Sequence, residues 1–135
     1  MAVPQSAYTK VSWDGLVDYP GETCRIYSGP LRCENLAFIV NRQLPGASGT
    51  LHSHDVAEEI YIVLRGRGQM IVGEEKVEAR ELDAFRIPPG VDHSTANPYE
   101  DDCMWLVIGA PADEFIEWDP VAYGQGGGLD EEARP

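Results

Sequence analysis

Positive charge is what this chain has least of: ten Lys and Arg stand against 23 Asp and Glu, for a formal charge of −13. A nucleic-acid binder needs a basic stripe to displace counterions from phosphates, and none is visible. The same deficit disfavours anionic membrane surfaces. No apolar run approaches the roughly 20 residues that a membrane-spanning helix requires. Residues 1–6 carry no charged-then-apolar targeting pattern. Cysteine is scarce as well. Cys24, Cys33 and Cys103 include no Cys-x-x-Cys pair, which argues against a structural zinc site. An odd count without a dense framework suggests reduced thiols. Together these absences predict a cytoplasmic location and partners that are neither nucleic acid nor membrane.

Helical periodicity is also missing. Short apolar runs broken by Gly, Pro, Asn and Asp recur instead, the pattern of strands joined by turns. The spacing predicts strands at 36–44, 51–54, 59–64, 84–87, 92–96 and 103–108. A hairpin of 69–72 and 76–79 is predicted around Gly73-Glu74-Glu75. The last strand is apolar on both faces, as expected between two layers. Residues up to Ser28 carry the turn signals Trp13-Asp14-Gly15 and Tyr19-Pro20-Gly21 and read as a cap or short strands. A length of 135 residues with 43% hydrophobic content fits one globular domain. The class is all-β, a sandwich or barrel, over residues 1–123. Residues 124–135, Gly-rich and then acidic, read as a flexible tail.

Only three histidines are present, and all fall into one ligand pattern. Two form His52-Ser53-His54, followed by Glu58 and Glu59; His93 follows the turn Pro88-Pro89-Gly90. Strand side chains alternate faces, so His52 and His54 project to the same side. Glu58 and Glu59 then point oppositely, and one alone joins the histidines. Glu59 is the expected ligand, because Tyr61 and Val63 share its face; Glu58 becomes a rim or solvated residue. His93 must return across the fold, which an antiparallel barrel supplies. The bland reading is a β-protein whose histidines are satisfied by core hydrogen bonds.

With these residues in place, the chain resembles a small single-domain cupin. The first cupin motif is matched by Gly46, His52, His54, Glu59 and Gly66 at every spacing. The second is matched by Pro88, Gly90, His93 and Asn97, while Leu82 replaces its leading glycine. The resemblance covers 46–97 and implies a double-stranded β-helix, the jelly-roll barrel. It also implies a divalent metal on His52, His54, Glu59 and His93, and pairing into homodimers, with 36–40 and the segment before it as the natural contact. Asn97 is expected to support a turn.

Three imidazoles and a carboxylate suit Fe, Mn, Ni, Co or Zn, and the sequence does not choose among them. Each imidazole must be neutral to bind, so metal affinity should fall below about pH 6. With all histidines committed, none remains for acid–base work. Tyr61 is then the candidate catalytic residue, with an aromatic core filler as its alternative. Val63, Phe85, Ile87, Thr95 and Trp105 are the expected pocket residues, suiting a small, partly apolar molecule with a chelating oxygen pair. Arg42 reads as either a solvated arginine or a contact for a substrate carboxylate. The functional expectation is a metal-dependent enzyme on a small organic molecule, with dioxygenase-type or lyase/isomerase-type chemistry. The alternative is a non-catalytic sensor or accessory module that binds metal or a small ligand.

Overall fold

The computed structural model describes residues 7–112, and within them two antiparallel sheets face each other. One sheet has five strands in the order β1-β2-β8-β3-β6. These are β1 (Cys24–Ile26), β2 (Ala37–Gln43), β3 (Glu58–Arg65), β6 (Ala84–Ile87) and β8 (Cys103–Ala110). The other has the order β5-β4-β7, with β4 (Gly68–Val72), β5 (Glu75–Ala79) and β7 (His93–Ala96). The expected all-β jelly roll is the observed architecture. Residues 113–135, including the expected tail 124–135, lie outside the described residues.

Alternation builds the core. On β3, Glu59, Tyr61 and Val63 are buried while Glu58, Ile60 and Leu64 are exposed. On β8, Cys103, Trp105 and Val107 are buried on the same inner face. The register pairs Tyr61 with Val107 and Val63 with Trp105, so inner residues meet inner residues. Met70 on β4 and Ala79 on β5 complete this cluster from the opposite sheet. The Cys103 thiol sits fully inside it, and burial pushes its pKa up to about 11.

The predicted strands are present with small shifts at their ends, with one exception. Residues 51–54 form no ladder; His52 makes only an isolated bridge to His93. The chain from Gly46 to His52 nonetheless tracks β7 through backbone bonds. Gly46 donates to the Asn97 carbonyl at 2.7 Å, Gly49 to Thr95 at 2.8 Å, and His52 and His93 exchange bonds at 3.0 and 2.8 Å. The hairpin turn is also tighter than expected, since Glu75 already pairs with Val72. The early region holds a 3-10 turn, Trp13–Gly15, whose Trp13 ring carries the Arg25 guanidinium 4.2 Å from its centroid.

Two glycines permit close packing where β3 turns into β4. Gly66 has φ +83°, and a Cβ there would run into the Asp102 carbonyl. A Cβ on Gly68 would lie 2.8 Å from both Cys103 Sγ and the Trp105 ring. Gly66 closes the first motif, so that match records a backbone approach to the start of β8.

Candidate metal centre

His52, His54, Glu59 and His93 converge, each offering one ligand atom, with all these atoms within 4.8 Å of one another. Four routes bring them there. Glu59 comes from β3 by inward parity, and His93 opens β7. His52 is held by its two-way bridge to His93. His54 is fixed through its carbonyl, which accepts from Gly90 N at 2.7 Å, so the Pro88-Pro89-Gly90 turn positions a first-motif histidine.

Glu59 Oε1 lies 2.6 Å from His93 Nε2 and 3.4 Å from His54 Nε2. Glu59 Oε1 and His93 Nε2 are buried, yet neither has a partner in hydrogen-bond geometry. A span of 4.8 Å is about twice a metal–ligand distance of ~2.0–2.2 Å, so the donor set fits one divalent ion.

The ring tautomers are set from behind. His93 Nδ1 lies 2.8 Å from the Val91 carbonyl, and His52 Nδ1 lies 2.8 Å from the Thr50 carbonyl. A carbonyl only accepts, so each Nδ1 carries the proton and each Nε2 keeps its lone pair for a cation. These two supports were not legible in sequence, because a backbone acceptor leaves no residue-type signal. Burial pulls the His93 pKa down, but the Glu59 carboxylate, the Val91 carbonyl and the charge of Asp92 outweigh it and leave it raised.

The centre opens into a cavity of about 370 Å³. Tyr61 and Thr95 line it. Val63, Phe85, Ile87 and Trp105 do not; they pack in or against the core cluster behind the site. The reason is depth: inward parity selects a face of a strand, while only its residues near the open end reach the cavity. In their place stand Tyr19, Glu22, Cys24, Ile39, Asn41 and Ser94. Cys24 was read from the sequence only as a reduced thiol. The sequence signal for it is parity: Cys24 pairs with Asn41 across β1 and β2, and both face inward.

Tyr61 is 7% exposed, and its hydroxyl makes a long 3.4 Å bond to Glu59 Oε2. It therefore contacts the oxygen turned away from His93, beside filling the core. Glu58 points outward and pairs with Arg86. Arg42 also points outward, 4.0 Å from Asp102, and does not line this cavity.

Behind the site lies a buried polar cluster absent from the sequence-based expectations. Gln43 Oε1 accepts from Trp105 Nε1 at 3.1 Å, and Gln43 Nε2 donates to Thr95 O and Oγ1 at 3.1 and 3.2 Å. Asn97 supports its turn as expected: its Nδ2 donates to Gln43 O and Asp101 O, and its Oδ1 accepts from Tyr99 N.

Residues 42–109 match a family described as the cupin domain. An uncharacterized protein of Methanocaldococcus jannaschii is 42% identical over 52 residues, which are 38% of this chain. The match spans 42% of that relative's length. Among solved structures, a cupin protein from Bacteroides fragilis superposes with a TM-score of 0.67 at 26% identity, covering 78% of this chain and 86% of that one. A predicted oxalate decarboxylase from Thermotoga maritima gives a TM-score of 0.58 at 22% identity, covering 82% and 99%.

Proposed function

The chain belongs to the cupin family, and from that premise we propose that it is a metal-dependent enzyme acting on a small organic molecule. The observation that carries the reading is the convergence of three imidazoles and one carboxylate within 4.8 Å, with His52, His54 and Glu59 lining an open cavity. Dioxygenase-type and lyase/isomerase-type chemistry are both compatible with this set. When bound, the divalent ion would supply Lewis-acid polarisation of a substrate oxygen or a site for redox chemistry.

The chain's own residues divide the remaining work. His52 and His93 present Nε2 because Thr50 and Val91 hold the opposite ring nitrogens. Tyr61 orients Glu59 by donating to Oε2 and lines the cavity, so a bound oxygen would compete with Glu59 for its single O–H. The wall formed by Ile39 and Val107 limits water on one side of the ligand. Among the described residues no helix is long and apolar enough to cross a membrane. A cytoplasmic location is part of the proposal and is supported by the reduced-thiol composition.

The test is elemental analysis of protein purified without a metal-affinity tag, followed by anaerobic reconstitution. Near-stoichiometric iron would favour dioxygen chemistry, and manganese or nickel the non-redox classes. His52→Ala should lower metal content at least tenfold in affinity, and Glu58→Ala should barely change it. A protein that neither retains nor takes up metal would sink the reading.

A further inference from the structure

Charge around the cavity is distributed by strand parity. The two cations nearest in sequence to the cavity wall are Arg25 and Arg42, each adjacent to an inward residue, Cys24 and Asn41. Alternation turns both to the outer face. There Arg25 meets Asp18 at 3.1 Å and the Trp13 carbonyl at 2.9 Å, and Arg42 meets Asp102. Arg67 and Arg80 pair with Glu78, and Arg86 pairs with Glu58. Among the described residues no Lys or Arg lines the cavity. Apart from the ligand set, the one carboxylate among its described lining residues is Glu22, exposed on the turn before β1. The other hydroxyl and amide side chains of the lining are neutral: Tyr19, Asn41, Thr50, Tyr61, Ser94 and Thr95.

We infer that the cavity selects small oxygen ligands that are neutral in solution and carry at most one negative charge when bound, with Glu22 discriminating against dianions. The inference rests on the metal reading above. A divalent ion with one carboxylate ligand leaves a net charge of +1 at the centre. One deprotonated oxygen of an enol, hydroxyketone or diol neutralises that charge. A dicarboxylate or phosphate dianion overshoots it, in a partly buried site with Glu22 on the wall and no Lys or Arg among the described lining residues. Hydroxyls and amides of the lining suit the uncharged oxygens of such a ligand. Electrostatic exclusion by one rim carboxylate is specificity through an unfavourable contact with the wrong ligand.

The experiment uses the full chain loaded with Co(II), whose visible spectrum reports ligand exchange directly. Maltol serves as the neutral hydroxyketone probe and oxalate as the dianion, both titrated into wild type, Glu22→Gln and Glu22→Lys. Relative to wild type, oxalate should bind about threefold tighter to Glu22→Gln and about tenfold tighter to Glu22→Lys. Maltol affinity should stay within about twofold in both variants, since its single charge is balanced at the centre. Unchanged oxalate affinity in both variants, with Co(II) still bound stoichiometrically, would overturn the inference while leaving the metal reading intact. Equal gains for oxalate and maltol would overturn it too, showing a change of access instead of charge selection. Failure of Co(II) to bind wild type would remove the metal reading and this inference with it.

Discussion

Leu82 stands where the second cupin motif has glycine, and its φ of +69° shows what that glycine is for. The side chain is 69% exposed, so little packing offsets the left-handed backbone. A left-handed L-residue costs about 1–2 kcal/mol, and glycine gives back about half of that through its freer unfolded chain. Leu82→Gly should therefore stabilise the protein by about 0.5–1 kcal/mol, or about 2–5 °C in Tm. A thermal melt showing no gain over wild type would contradict the strain. The same scale explains the carboxylate. Adjacent glutamates differ by one step of alternation, which sends Glu59 to 3% exposure among histidines and Glu58 outward to Arg86. That choice was legible from Tyr61 and Val63 sharing the parity of Glu59. The Val91 and Thr50 carbonyls behind the rings were not, because any residue type supplies a carbonyl.

At the scale of elements, β2, β7 and β8 are tied by side chains as well as by ladders. Gln43 on β2 reaches Thr95 on β7 in the opposite sheet and Trp105 on β8. Its separation from these residues is 52 and 62 positions, so no local pattern announces it. Removing the amide strands the buried indole N–H and takes a partner from the Thr95 hydroxyl, while the Thr95 carbonyl keeps its bond from Gly49 N. Gln43→Leu should cost about 2–4 kcal/mol in urea unfolding. A double-mutant cycle with Trp105→Phe should give coupling of about 1 kcal/mol or more. Zero coupling would mean that the glutamine acts by packing alone. The strand pattern itself was readable from alternation, and the failure at 51–54 has a simple cause. A single bridge at His52 does the positioning that a ladder was expected to do, because the Gly90 bond to the His54 carbonyl holds the other end.

For the whole molecule, the strong negative charge limits how copies can meet. Two chains of −13 repel except where a surface is apolar and its charges balance. The outer face of the five-stranded sheet fits that description. Ile60 and Leu64 are 39% and 38% exposed, with Ile62, Leu106 and Ile108 half-buried beside them. Glu58–Arg86 and Arg42–Asp102 pairs flank it with both signs, as an isologous two-fold contact requires. The contact expected through 36–40 and the segment before it involves the other end of this sheet: β2 lies between β1 and β8, and β1 is the edge strand. A homodimer remains the proposal, now placed on this face. Light scattering should give a dimer for wild type and a monomer for Ile60→Asp, with Val77→Asp on the other sheet unaffected. A wild-type monomer at tens of micromolar would dispose of it.

The sequence by itself determined the strand alternation, the two spaced motifs and the four residues that meet in the site. Those properties depend on parity and on turn chemistry, which are local and written in residue types. Only the tertiary structure decided which inward residues border the cavity and which sink behind it. That moved Val63, Phe85, Ile87 and Trp105 to the core and brought Cys24, Asn41 and Glu22 to the wall. Depth along a strand depends on where another strand, distant in sequence, crosses it, and no period of two or 3.6 residues encodes that distance.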